Sequence, residues 1–436
     1  MNINPKLIAE IVIGISGVIG LGVLCKKTSQ SKNTESTVSN NSNNEPISFA
    51  DSFVSENSAQ AEADFVNSIN TIRLKELFAK LKEIDYRESN AKKEITELKK
   101  EIEQIISSNR GGQTGMHGFI GESCQVHIAN VKSFLKGKKA LHVLLDDNSM
   151  TDYKRGSQLI QQKACQSDNH LGLDHVKRHC EKYPEFVSQG GIYQIPKDFY
   201  QKFDMMRNTP PEIAAKFKKE DLRLWKVVHE FCEANPNIVI EPMEVSYRDI
   251  QASNVNNTVS SVEKNTDEEF KKQKADAHNK YSPSAKELLK VSSISGLFEG
   301  SLNVALSAGM ILKSGKKLKD FDKSDKIYAI GFLRGSVRAG ITYLLTAFCK
   351  VSSTLASTIA TALFTVTKHT YTFIKKGESK VDYIRELLID LAEIALTTLG
   401  AYIGKSIFKK NPLVGSLLGS ITFSTGCRFA RKCAYA

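Results

Sequence analysis

The chain has 436 residues, 41% of them hydrophobic and 25% charged, with a mean hydropathy of −0.27. These values exclude a collagen-like or wholly disordered chain and a conventional many-pass membrane protein, and the length suffices for two to three domains. The formal charge is +12, and residues 283–436 hold 22 Lys and Arg against 10 Asp and Glu, so the whole excess is C-terminal. That region is rich in Ala, Gly, Ser, Leu and Ile, which makes anionic membrane lipids its expected counter-charge, with nucleic-acid phosphate second. Eight cysteines scattered from Cys25 to Cys433 lack the density and spacing of a disulfide scaffold and read as reduced, intracellular thiols.

Residues 7–25 form a 19-residue apolar run broken only by Glu10 and followed by Lys26 and Lys27. The length just spans a bilayer, no small-x-small cleavage site follows, and the trailing lysines put the bulk of the chain in the cytoplasm. The expectation is a single-pass N-terminal transmembrane anchor over 1–27, with a buried or surface-lying helix as the competing reading. Residues 28–62 carry few large apolar groups and are expected to form a disordered tether. Over 63–109, Leu77, Leu81, Ile84, Ile95, Leu98, Ile102 and Ile105 recur mostly at threes and fours amid opposite charges four apart. This is a helical spacer, a coiled coil or a hairpin, because the polar stretch around Asp85–Asn90 breaks the heptad; a seam over 65–106 would make a homo-oligomer.

Residues 110–250 change period and read as a small α/β domain. A helix from about Met116 to Leu135 precedes a strand at 141–145, a turn at 146–149 and a second strand at 157–164. Helix 173–182, strand 190–196, helix 197–206, helix 212–232 and a closing strand at 237–242 follow. Residues 251–282 are polar and read as a linker or an exposed helix. The basic, glycine-rich region 283–436 has helical segments at about 286–314, 326–376, 382–408 and 411–430. Its uncharged runs are marginal as membrane spans. Three glycine pairs four apart, Gly331 with Gly335, Gly400 with Gly404 and Gly415 with Gly419, permit close helix approach. Glu299, Arg334, Arg338, Lys350, Asp390 and Glu393 interrupt the apolar stretches and must face partners or water if lipid surrounds them. The expected class is therefore α+β and multidomain: membrane helix, long helical spacer, small central α/β domain and an all-α, small-residue-rich, membrane-associating bundle.

The most specific candidate chemistry is Glu122 on the first helix of the α/β domain, Asp152 after the turn, and Gln161 with Lys163 two apart on one strand face. A metal-dependent phosphodiesterase needs oxygen ligands to hold Mg²⁺ beside the scissile phosphate and a lysine to orient water or offset developing charge. This layout resembles the PD-(D/E)xK restriction-endonuclease-like superfamily, in its Mrr-type variant where glutamine replaces the second acid, over roughly residues 116–205. The resemblance implies Asp152 and Gln161 as metal ligands for Mg²⁺, Lys163 as the catalytic lysine and Glu122 as an auxiliary acid. It also implies DNA as substrate. Asp146 or Asp147 is an equal alternative for the metal-binding aspartate.

Two other constellations compete with blander readings. His170, His175, His179 and Cys180, with Cys165 upstream, offer zinc ligands, but without a paired Cys-x-x-Cys a solvated helix face is the better reading. Cys124 and His127, near His117, offer a nucleophile and base, but three apart on one helix is also ordinary packing. The expected function is a membrane-associated protein with a metal-dependent nuclease-like domain, in bacterial defence against foreign DNA. The alternative is a non-enzymatic membrane effector or scaffold whose C-terminal bundle inserts into or permeabilises the bilayer. A P-loop, a dinucleotide fingerprint and a nucleophile elbow are not found in the sequence.

Overall fold

The computed structural model describes residues 44–145, 150–165, 171–315, 317, 321, 324–409 and 411–435. The chain divides into two compact units, Leu77–Lys280 and the remainder, Met1–Glu76 with Tyr281–Ala436. It is mostly helical with one small mixed sheet. The anchor expected over 1–27 lies outside the described residues, as does the first part of the tether.

Residues 44–62 correct the tether expectation: they are the opening turns of α1 (Asn44–Ser107), a single 64-residue helix. From Asn57 through Asp64 the small and polar side chains are not solvated but buried among other helices of the same unit. The spacer expected over 63–109 as coiled coil or hairpin is continuous with them and does not turn back. The polar stretch that breaks the heptad has its own partner, since Arg87 donates from Nη1 to the carbonyls of Phe134 and Leu135 at 3.1 and 3.3 Å. Those carbonyls end α2 (Gly112–Leu135), so Arg87 satisfies a helix C-terminus. Of the linker and the exposed helix expected over 251–282, the structure has the helix, α8 (Val255–Lys280), which buries Val255, Val259, Phe270 and Ala277. Its Lys274 reaches Asp85 and Glu88 of α1 at 2.7 and 2.6 Å, and its Glu263 takes Lys99 at 2.8 Å.

Between α2 and α8 the unit carries β1 (His142–Leu144), β2 (Tyr153–Arg155), β3 (Gln158–Gln162), α3 (Leu173–Lys182), α4 (Pro184–Ser188) and β4 (Ile192–Ile195). Then come α5 (Lys197–Arg207), α6 (Pro211–Ala214), α7 (Lys219–Ala234) and β5 (Ile240–Pro242). The sheet order is β1-β2-β3-β4-β5; the first three strands form an antiparallel meander, and β4 and β5 continue parallel to β3. The sequence reading missed β2, although Gly156, at φ 64°, and Ser157 make the two-residue hairpin that joins it to β3. Alternation along the strands divides the core. Tyr153, Ile160 and Ile192 pack with Val126 of α2 on one face, while Tyr193 and Ile195 join Phe186, Phe203 and Val228 from the helices on the other.

The other unit completes itself with α9 (Ala285–Lys313), α10 (Ser324–Ala347), α11 (Ser353–Lys376), α12 (Lys380–Ile407) and α13 (Pro412–Tyr435). The helix expected over 326–376 is two, parted at Lys350, whose φ of 54° no helix interior allows. The glycine pairs work as their spacing implied. A methyl at Gly331 would stand 3.0 Å from the Cα of Gly300, and one at Gly400 would stand 2.5 Å from the carbonyl of Gly419. Gly404 and Gly415 abut in the same way, so α12 and α13 touch backbone to backbone. In the interior, Arg338 donates to both oxygens of Glu62, at 2.9 and 2.7 Å, and to Glu299 at 2.7 Å. Ser58 and the Ser55 carbonyl take its remaining protons at 2.6 Å.

Two measurements test this architecture. Gly400→Ala forces α12 from α13, so the unfolding midpoint of the chain should fall by an amount equivalent to about 1–3 kcal/mol, whereas Gly426→Ala, where a methyl meets nothing within 4 Å, should not lower it. The second concerns His127 of α2, whose Nδ1 donates to Glu94 at 2.6 Å and whose Nε2 lies 3.3 Å from Glu101. Burial opposes its charge, but the hydrogen bonds and charges of Glu101 and Glu94 prevail and hold it at about 9. A pKa raised above the unfolded value contributes stability that is fully present below about 6.5 and is lost as pH rises through about 9. Denaturant titrations between pH 7 and 10 should show this loss, up to about 3 kcal/mol, and His127→Gln should abolish it.

Candidate active site

Asp152 stands one residue before β2, directly across from Gln161 in the register that pairs Tyr153 with Ile160. Its amide donates to the Ile160 carbonyl at 3.0 Å and its carbonyl accepts from Leu145 at 2.9 Å, so the backbone on both sides fixes its direction. The carboxylate Oδ2 accepts from the Gln161 side-chain amide and from the Gln162 backbone N–H, both at 2.6 Å. Burial pushes the Asp152 carboxyl above its usual range, while the Lys163 charge and these two hydrogen bonds pull it back.

Lys163 extends β3 by one residue, donating its backbone N–H to the Gln194 carbonyl at 2.8 Å. Burial lowers its pKa, and the carboxylates of Asp152 and Glu122 with the Cys165 and Tyr183 side chains oppose the shift. Glu122 of α2 is therefore in electrostatic reach of the same ammonium. The four residues chosen from the sequence thus gather at one end of the sheet, from a helix, the residue before one strand and the end of the next. Here β3 and β4 both end, and the C-terminal edge of parallel strands is where open α/β sheets bind ligands. Asp146 and Asp147, the alternative ligands, lie outside the described residues.

The donor set is Asp152, Glu122 and the Gln161 amide: oxygen groups of the kind a hard cation takes, and few in number. Among the described residues no three His, Cys, Asp or Glu side chains cluster as a metal-binding group. His179 donates or accepts at Nδ1 with the Tyr193 hydroxyl at 2.9 Å and sits among the rings of Tyr183, Phe186 and Tyr193. Burial and the Lys163 charge push it down to about 4, so it is neutral at physiological pH. His175 lies 3.2 Å from the Arg178 guanidinium, a poor neighbour for a cation, and His170 is outside the described residues. Cys124 is fully buried, and burial, with Asp249 and Glu101, pushes its thiol up to about 12. Its neighbour His127 is engaged by two glutamates, so the pair does not assemble a thiolate and a base. His117 stacks edge-on against Tyr247, apart from that pair's function.

Sequence reasoning missed the second hydrogen bond to Asp152, because a backbone N–H has no residue type. It also missed the His179–Tyr193 contact behind Lys163, for which the i, i+4 spacing of His175 and His179 was a misleading signal. Comparison with family models, with curated proteins and with solved structures finds no match to this chain.

The coupling of Lys163 to Asp152 can be measured in the fold itself. Burial raises the Asp152 pKa, so the folded state binds its proton more readily than the unfolded chain and stability is gained as pH falls through that raised value. Lys163→Met removes the largest opposing charge. The variant's gain in stability on acidification should therefore begin at a higher pH than the parent's, which denaturant titrations across the acid range would read.

Proposed function

We propose that residues 112–250 are a metal-dependent phosphodiesterase of nuclease type, with a glutamine in the place of the second acid. One observation carries the reading: Glu122, Asp152, Gln161 and Lys163, picked by residue type and spacing alone, meet at one end of one sheet. The order of elements around them lends support. After the strand that bears Gln161 come a helix, the parallel strand β4 and a further helix, the succession on which the resemblance to the PD-(D/E)xK superfamily rests.

Mg²⁺ is held by one or two carboxylates and keeps water and substrate oxygens for the rest of its shell, a demand that Asp152, Glu122 and the Gln161 amide oxygen would meet. Bound there, such an ion would supply charge to polarise the phosphate and lower the pKa of water. The protein's own part is positional. The Gln162 N–H orients Asp152 by holding Oδ2, which leaves Oδ1 for a cation. The Gln161 amide now directs an N–H at Oδ2; a half-turn about its last torsion replaces that N–H with the carbonyl oxygen. Lys163 Nζ, its proton loosened by burial, holds the attacking water and offsets charge on the phosphoryl oxygens.

The test is cleavage of plasmid DNA by the full chain with Mg²⁺. Nicking or linearisation is expected, with Lys163→Ala and Asp152→Asn each reducing the rate by about 10²-fold or more. Undiminished cleavage by Lys163→Ala would end the assignment.

A further inference from the structure

The unit of residues up to Glu76 with Tyr281–Ala436 buries many polar groups while it exposes large apolar ones. Beside a small apolar cluster of Val66, Leu288, Val291, Ala339 and Tyr343, its interior holds Ser295, Asn303, Thr342, Ser357, Thr397 and Ser420, together with the Glu62–Arg338–Glu299 network. Its exterior is apolar on every one of the five C-terminal helices. Leu297 of α9, Ile330 of α10, Leu363 of α11, Leu388 of α12 and Leu418 of α13 are 45–61% exposed. The unit Leu77–Lys280 has the ordinary arrangement, with Ile84, Leu98, Tyr153, Phe186 and Phe270 fully buried. Water does not favour the first arrangement, since it would solvate large aliphatic side chains while burying hydroxyls and charges.

We infer that this helical unit is embedded in a bilayer, with lipid acyl chains as the occupant of its outer surface. Helix length agrees: α9–α13 have 24–29 residues each, about 36–44 Å at 1.5 Å per residue, enough to cross a hydrocarbon core of about 30 Å. Charge placement agrees as well. Mid-helix Glu299, Arg334, Arg338 and Glu393 turn inward, Arg334 pairing with Glu299 and Glu393 with Arg428, as lipid requires of intramembrane charges. Lys313, Lys350, Lys376 and Lys380 stand at helix ends and turns, where headgroup phosphates would meet them. Backbone contacts at Gly400, Gly404, Gly415 and Gly419 give α12 and α13 the close packing that associates helices where no hydrophobic effect acts between them. A second copy of the chain would cover one patch, whereas the apolar residues here are on all five helices. The stretch Asn57–Asp64 of α1 is buried in this bundle and bonds to its helices: Ser357 donates to the Ala59 carbonyl at 2.7 Å, and Lys405 pairs with Asp64. The inference is independent of the nuclease reading, because it uses none of its residues.

The test reads single positions, so that a separate N-terminal anchor cannot mimic the result. The full chain is reconstituted in phosphatidylcholine–phosphatidylglycerol vesicles with brominated acyl chains. Its one tryptophan, Trp225, sets the baseline in the parent, and Leu363→Trp and Leu388→Trp each add a second fluorophore on the outer face. Blue-shifted added emission and its loss to bromine quenching at both positions is the expected result. Added emission at the wavelength of water-exposed tryptophan, unquenched, would overturn the inference; so would unquenched emission in a chain that cross-links as an oligomer, because a second copy would then cover the face. Ser357→Trp would not fold as an alternative, so Lys376→Trp serves as the end-of-helix control, with weaker quenching than position 363.

Discussion

A guanidinium in the middle of a helical bundle sets the terms for one half of this protein. Arg338 is 1% exposed, and an unpartnered charge there would cost several kcal/mol, so its position dictates what surrounds it. Glu62 grips it in a two-pronged pair, Glu299 takes a third contact, and Ser58 and the Ser55 carbonyl complete the set. Every group that satisfies it from α1 falls between residues 55 and 62, a stretch with no large apolar side chain to hold it by packing. The helix is kept in the interior by polar complementarity, and the small residues Ala59, Ala61 and Ala63 let its neighbours come close.

That mode of assembly explains why the stretch was illegible in the sequence. Ser, Asn, Glu and Ala in succession are the composition of a chain that cannot repay its ordering entropy in water, and the tether expectation followed from that. The missing term was a set of partners some 280 residues later in the chain. The same dilution hides the C-terminal helices. Average hydropathy singles out only Lys380–Ile407 and the range Val255–Lys313 among the described residues as apolar enough to cross a membrane. Helices such as α10 and α13 fall short because Ser336, Arg338, Thr342, Ser416 and Ser420 occupy their buried faces, although Ile330, Leu333, Val414 and Leu418 stand exposed. Glycine spacing was the better guide, since a pair four apart reports backbone contact whatever the mean hydropathy.

In the other unit, legibility followed the strength of local signals. Helix α3 was legible to the residue, Leu173–Lys182, because amphipathic spacing and Gly172 in a left-handed conformation mark its start. Strand β2 was not, since three residues hold too little alternation to register, and only the Gly156–Ser157 turn betrays it. The spacer's polar break interrupts the heptad and so leaves coiled coil and hairpin equally open; the role of Arg87 within it, bonding to the end of α2, is a tertiary one. Of the candidate site, the residue types were legible and the geometry was half so. Two-residue periodicity put Gln161 and Lys163 on one face, but the pairing that sets Asp152 opposite Gln161 depends on β2.

Asp152 and Gln161 also show what an amide does beside a buried carboxylate. Asp152 is buried, and burial raises its pKa even with Lys163 nearby. A second carboxylate at position 161, directly across the ladder, would add a like charge in the same low-dielectric pocket, and one of the two would take up a proton. The amide instead donates to Oδ2 at 2.6 Å, which pulls the carboxyl pKa down against the rise that burial imposes. Ionisation matters because a protonated carboxyl cannot ligate a cation or balance Lys163. With an amide there, the charge of the pair Asp152–Lys163 closes on itself, and the fold can hold the constellation together before any ion or phosphate arrives.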